Sequence, residues 1–244
     1  MATDLGVARD AAPEHTVAPD PAALQRILDG KYAEVRDLVR RNLVEHADLL
    51  GEADDLDRET YRVLEIVQQV ASTGQTGFGF PEEHGGGGDI GASIAAFETL
   101  AFGDLSVLVK VGVQFGLFGG AVLQLGTQRH HAAYLPGIID GTILGSFAMT
   151  ESGHGSNVQA LATTATYDVG TDEFVVETPH DAARKDYIGN AARHGELAVV
   201  FAQLHIGGES QGVHAFIVPI RVRDEAGELV PAPGVRIEDC GHKM

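Results

Sequence analysis

The stretch FAMTESGHGSN, Phe147 to Asn157, decides how this chain reads, together with KDYIGN at Lys185 to Asn190. Ile143 to Thr150 has the pattern of a short apolar strand with alternating faces. At Thr150 that pattern breaks into a loop of small residues holding Gly153, Gly155 and Ser156. Glycines let a backbone approach a flat ring or a phosphate closely, and neighbouring amides and hydroxyls supply donors. Tyr187, in the second segment, offers a ring face for stacking. Taken alone, TESGHGSN fits an ordinary polar turn between strands equally well. A serine nucleophile elbow is a poor fit. G-x-S-x-G needs glycine two residues to either side of the serine, and His154 and Val158 occupy those places around Ser156.

On the N-terminal side of this stretch the hydrophobic period is helical. Pro21 opens an amphipathic segment with Leu24, Ile27 and Leu28, and Val35, Leu38 and Val39 share a face in the next. Asp57 is placed to cap a helix carrying Leu64, Val67 and Val70, and Asp89 to cap one with Ile94, Phe97 and Leu100 on its buried side. The apolar run Val111 to Leu125 contains two glutamines and is short for a membrane span, which suits a buried helix. Its Gly112, Gly116 and Gly120 fall on one α-helical face, suited to close packing. From Ile143 onward the period is two. Strand-like runs are Thr163–Asp168, Glu173–Thr178, Leu197–Leu204, Val213–Ile220 and Gly234–Cys240. The expected organisation is a flexible leader (1–20), an α-helical domain (21–141) and a β-domain (142–244). The fold class is α+β, with the second domain expected as a small antiparallel β-barrel or sandwich.

Bulk properties narrow the function. A hydrophobic content of 44% and a mean hydropathy near zero describe a globular protein. A formal net charge of -18 disfavours nucleic acid or an anionic membrane as the main partner. The single cysteine, Cys240, permits no internal disulfide and reads as a small buried hydrophobe in a reducing compartment. No secretory signal is visible at the N-terminus, and the composition is compatible with a cytoplasmic location. His130 and His131 are adjacent on a predicted helix and diverge, so they make a poor metal pair, and no metal site is expected. The acidic run Glu52–Asp55 reads as a solvated inter-helix loop.

The order of helical domain, β-domain and glycine-bearing loop carries a resemblance. PEEHGG (Pro81–Gly86) resembles the P-E-x-x-G-G turn of the acyl-CoA dehydrogenase and acyl-CoA oxidase superfamily. GTQRHHAAYLPGIIDGTILGSFAMTE (Gly126–Glu151) resembles that family's G-T-x-x-Q-K-x-x-Y-L-P-x-L-x-x-G…A-x-T-E signature. GHGSN, where dehydrogenases have A-G-S-D, leans toward the oxidase branch, as does HAFIVPIR (His214–Arg221). The chain resembles the N-terminal and middle domains only, without the family's C-terminal helical bundle.

The resemblance implies an FAD-dependent oxidation of fatty acyl-CoA to trans-2-enoyl-CoA. Met149 and Thr150 would contact the flavin ring, Gly155 and Ser156 would lie near phosphates or the acyl-CoA, and Tyr187, Ile188 and Gly189 would form a second flavin contact. Tyr187 stands where relatives commonly carry tryptophan. Lys185 is open to two readings, a charge for phosphate or a solvated surface lysine. Glu151 is implied to be structural and His154 to hydrogen-bond its own loop, so no catalytic residue is assigned; the family's base comes from the absent bundle. The expected partners are fatty acyl-CoA and further copies or a bundle-bearing chain. The chain is then a truncated or split enzyme, inactive alone, with an apolar β-domain face left bare. The alternative is a non-catalytic flavin-binding, acyl-CoA-binding or scaffold subunit. A eukaryotic source would imply a peroxisomal location.

Overall fold

Asp20 caps the first helix, α1 (Pro21–Asp29): its carboxylate accepts from the Ala22 amide at 3.0 Å, and Pro21 sits in the first turn, where no N–H is needed. The computed structural model describes residues 18–47 and 56–241. Most of the expected leader, the run Glu52–Asp55 and the side chain of Asp57 lie outside the described residues. The helices that follow are α2 (Ala33–Glu45), α3 (Leu56–Ser72), α4 (Ile90–Leu100), α5 (Leu105–Val111), α6 (Gly120–Leu125) and α7 (Gln128–Ile139). Asp57 lies within α3 and not ahead of it.

Asp89 caps α4 as the sequence implies, accepting from the Ala92 amide at 3.0 Å. The buried face of α4 differs from the expected one. Ala92, Ala95, Ala96, Thr99 and Leu100 turn inward, while Ile94 and Phe97 are 64% and 42% exposed. Small residues let α4 approach its neighbours closely, which outweighs burying the two larger side chains.

Between α5 and α6 the backbone stays helical but widens into a π-helical segment, Gly112–Gly119. The wider turn removes the four-residue stripe expected of Gly112, Gly116 and Gly120, and Gly116 faces open space. Phe118 is fully buried instead, its ring lying on the first strand, β1 (Gly145–Ala148). A Cβ at Gly145 would collide with three atoms of that ring, so only glycine allows the approach. By length and composition Leu105–Leu125 could cross a bilayer. Here it is a core helix, with Gln114, Phe115, Phe118, Ala121 and Val122 buried.

The other strands are β2 (Thr164–Asp168), β3 (Glu173–Glu177), β4 (Leu197–Ile206), β5 (Glu209–Pro219), β6 (Arg221–Arg223) and β7 (Leu229–Pro231). β4 organises the sheet. One edge pairs antiparallel with β5 along its whole length; the other takes β1 beside Leu197–Val200 and β2 beside Gln203–His205, both parallel. β3 closes that side antiparallel to β2, and β6 and β7 form a separate ribbon. Among the described residues the domain is an open, mixed five-stranded sheet with a separate two-stranded ribbon: the expected barrel does not close, and β1 and β2 pair with β4 in parallel. The long connections from β1 and β2 to β4 allow parallel pairing, which a hairpin cannot give. Because β4 is covered on both faces, it reads as a nearly continuous apolar run, LAVVFA, and not as a clean alternation.

The expected strand Gly234–Cys240 joins no ladder. Pro231 and Pro233 remove donors just ahead of it, and Gly234 turns the chain at φ +80°. Its alternation still has a physical meaning, since Val235 and Ile237 pack on the small cluster Ala148, Ala198, Val200 and Ile220. Cys240 is exposed, not buried. The main core runs through both domains, joining Val67, Phe118, Leu135 and Ile138 to Val199 and Phe201.

Gly145→Ala is expected to destabilise the fold by about 1–3 kcal/mol through overpacking against Phe118. Urea denaturation measures this, and Phe118→Leu in the same chain should recover part of the loss.

Candidate functional site

β1 runs out at Ala148, and the two segments singled out in the sequence meet just beyond it. The Asp186 amide donates to the Thr150 carbonyl at 3.1 Å, the Ser152 amide to Arg184 O at 2.8 Å, and the Gly153 amide to Ala182 O at 2.9 Å. Glu151 and His154 close a tight turn by exchanging backbone hydrogen bonds at 3.1 and 3.0 Å. His154 Nδ1 accepts from the Asn157 amide at 3.2 Å, so this imidazole shapes its own loop, as expected.

A buried ion pair fastens the two segments. Glu151 is 3% exposed and Lys185 13%, and Lys185 Nζ donates to Glu151 Oε1 at 3.1 Å. The same ammonium donates to Met149 O at 3.1 Å and Phe201 O at 2.8 Å, tying the loop to β4. Glu151 also accepts from the Ala162 amide (2.9 Å), the Thr163 amide (2.9 Å) and the Thr163 hydroxyl (2.6 Å). Burial alone would raise this carboxyl's pKa, but the hydrogen bonds from Ala162, Thr163 and Lys185 outweigh it and hold the pKa at about 2. Lys185 moves down from its ordinary value because burial outweighs the attraction of Glu151. Neither reading of Lys185 from sequence holds: it is no solvated lysine, and its donors are spent on protein oxygens.

The remaining residues of the two segments divide by what they leave free. Tyr187 is 87% exposed and held at φ +59°, an uncommon backbone state for a bulky residue. Its amide is turned back onto Asp186 Oδ1 at 2.9 Å. Gly189 lies so close to Val113 of the π-helical segment that a Cβ there would force Val113 to move. Ile188 turns inward onto the Ala148–Ile220 cluster, and Met149 packs on the main core, so both offer a ligand backbone more than side chain. Gly155 and Ser156 are exposed on the far arm of the turn, and among the described residues no hydrogen bond joins them to the Tyr187 segment. The Thr150 and Ser156 hydroxyls have no hydrogen-bond partner among the described residues.

Sequence reasoning missed what supports these two segments from below. Gln114 is fully buried; its Nε2 donates to Ile143 O at 2.7 Å and its Oε1 accepts from the Gly145 amide at 3.0 Å. Asn190, at φ +66°, donates to Gly145 O at 2.9 Å. A glutamine inside the apolar run VGVQFGLF was the one visible signal, since a buried amide needs polar partners.

Comparison with known proteins identifies the family. The model "Acyl-CoA dehydrogenase, N-terminal domain" matches residues 31–142, and "Acyl-CoA dehydrogenase, middle domain" matches residues 146–244. The chain belongs to the acyl-CoA dehydrogenase and acyl-CoA oxidase superfamily. Its similarity is to the oxidases. Peroxisomal acyl-coenzyme A oxidase 3 of Arabidopsis thaliana is 50% identical over 151 residues, covering 62% of this chain and 22% of that protein. Human peroxisomal acyl-coenzyme A oxidase 3 is 40% identical over 151 residues, with 62% and 21% covered. Among solved structures, acyl-CoA oxidase1 of Yarrowia lipolytica superposes with a TM-score of 0.76 at 28% identity, over 90% of this chain and 31% of that one. Caenorhabditis elegans acyl-CoA oxidase-1, solved in complex with FAD and ATP, gives 0.68 at 28% identity over 91% and 33%. The chain thus spans about a fifth of the length of the curated relatives it matches.

Because the Glu151 pKa lies at about 2 in the folded chain against an ordinary 4.5, its contribution is complete above pH 4.5 and is lost as the pH falls toward 2. That loss is expected to be about 3 kcal/mol. Glu151→Gln should remove this segment of the stability–pH curve and destabilise the chain at neutral pH by about 3–5 kcal/mol, since it leaves Lys185 buried without a counter-charge. Denaturant titrations between pH 2 and 7 read both effects.

Proposed function

We propose that this chain supplies one wall of the flavin site of an acyl-CoA oxidase, which converts fatty acyl-CoA to trans-2-enoyl-CoA in the first step of fatty acid β-oxidation. The observation that carries the reading is the pairing of the Thr150 segment with the Tyr187 segment. It leaves an exposed ring and two unpaired hydroxyls beside a rigid, ion-paired anchor. These residues suit a flat, polar-edged group such as FAD. Bound there, FAD would accept the hydride that leaves the acyl β-carbon.

The chain's own residues have defined tasks in this reading. Tyr187 stacks, while Met149, Ile188 and Gly189 present backbone at close range. The Thr150 hydroxyl donates toward the ring edge, and Gly155 and Ser156 donate toward phosphate oxygens. Glu151 takes no part in proton transfer. A carboxyl held at about 2 and bonded by four donors is a poor base, and it serves as the anchor. The base that removes the α-proton therefore comes from outside this wall, and we expect the isolated chain to bind without turning over. Fatty acyl-CoA as substrate, assembly with a bundle-bearing chain or a further copy, and a peroxisomal location in a eukaryotic source complete the proposal.

FAD added to the purified chain is expected to quench tyrosine emission, with affinity falling about tenfold in Tyr187→Ala. Anaerobic acyl-CoA should bleach the flavin only when a helical partner chain bearing a carboxylate is co-expressed. Absence of FAD binding with and without that partner contradicts the reading. Binding without bleaching in its presence favours a non-catalytic subunit.

A further inference from the structure

Beside Tyr187 the chain makes a second unusual turn, and the helical domain reaches across to hold it. Among the described residues only Asp172, Tyr187 and Asn190 have positive φ without being glycine, and two of these fall within four residues of one another in the wall. Such conformations persist only where the surroundings over-determine them. Asn190 is over-determined. Lys110 of α5 donates from Nζ to Asn190 Oδ1 at 2.6 Å. Asn190 Nδ2 in turn reaches Gly145 O at 2.9 Å and Gln114 Oε1 at 3.4 Å. The Asn190 carbonyl accepts from the amides of His194 (3.2 Å) and Gly195 (2.7 Å). From the sheet side, buried Arg221 donates to Ala192 O at 2.8 Å and Gly195 O at 2.7 Å.

We propose that Lys110 is a positioning residue: by gripping Asn190 from the helical domain it fixes the left-handed turn that aims Tyr187 and Gly189. This rests on the flavin-wall reading above. Lys110 forms no ion pair among the described residues, so its ammonium is spent on neutral acceptors, the Asn190 amide and His194 Nδ1 at 3.0 Å. That is a costly arrangement for a half-buried cation if stability were its only outcome. Gly189 packs on Val113, one turn along the same helix from Lys110, so one helix meets this segment at two points.

Burial lowers the Lys110 pKa to about 8. The groups around it do not restore it. His194 is held neutral, at about 4, by burial and then by the charges of Lys110, Arg221 and Arg193; Tyr61 of α3 lies ring to ring with His194 at 5.7 Å. When the turn opens, the amine returns toward its ordinary 10.5 and takes up a proton. Closing the turn therefore releases a proton across this window while the neutral amine keeps the two N–H donors it needs for Asn190 and His194, and the closed turn is favoured as the pH rises from about 8 to about 10.

The chain contains no tryptophan, so Tyr187→Trp supplies a single reporter on the wall. In that background, emission anisotropy should rise as the pH is raised from about 8 to about 10, and Lys110→Met should abolish this step. Lys110→Met should also speed exchange of the His194 and Gly195 amides about tenfold while the melting temperature stays close to that of the parent. Lys110→Arg, which keeps a donor cation, should recover part of the protection. An unchanged pH step in Lys110→Met, or loss of protection spread evenly over the chain together with a fall in melting temperature, overturns the proposal. FAD binding is read separately. A loosened turn with FAD bound by neither protein sinks the flavin reading alone; an unmoved turn with FAD still bound sinks the role of Lys110 alone.

Discussion

The buried pair of Glu151 and Lys185 is the interaction on which the wall depends. The pair is richly hydrogen-bonded to the chain: the carboxylate accepts from Ala162, Thr163 and Lys185, and the ammonium donates to Glu151, Met149 and Phe201. The pair joins the end of β1, the start of β2, the centre of β4 and the segment leading to Tyr187. Removing either partner strands a charge in a site that cannot hydrate it. Chemistry that would consume Glu151 is thereby excluded, and rigidity is what the pair contributes.

A second constraint fixes where the helices meet the sheet. Phe118 packs directly against Gly145, and Gln114 hydrogen-bonds on both sides of the same point, to Ile143 and Gly145. The π-helical widening of Gly112–Gly119 turns both residues toward β1 in one short segment. From that junction Val113 meets Gly189, and Lys110 meets Asn190. The wall is held from the sheet by Glu151, Lys185 and Arg221 and from the helices by Lys110, Val113 and Gln114. Two strained residues in one loop are sustained by this double grip.

Much of this was legible in the sequence, for identifiable reasons. The change of period near residue 142 separated helices from strands, and Asp89 announced its cap correctly. The blocks around Phe147–Asn157 and Lys185–Asn190 marked the two segments that pair in space. What failed needed tertiary information. Parallel pairing of β1 and β2 with β4 depends on long connections, and period alone does not distinguish it from antiparallel pairing. The inward face of α4 went to alanines because closeness mattered more than side-chain area. Lys185 was open to two readings, a phosphate charge or a surface lysine, and its actual acceptors come from residues 149, 151 and 201, far apart in the chain. Asn190 sat inside a segment already singled out, but its grip by Lys110 spans 80 positions.

The most direct test of the central claim, that one ion pair holds the two halves of the wall together, is a double-mutant cycle on Glu151→Gln and Lys185→Met, read by denaturant unfolding at neutral pH. The pair as described requires a coupling energy of about 2 kcal/mol or more, the double variant being less damaged than the two single losses added together. Losses that add to within about 0.5 kcal/mol would show that the carboxylate and the ammonium act independently, and would contradict the account.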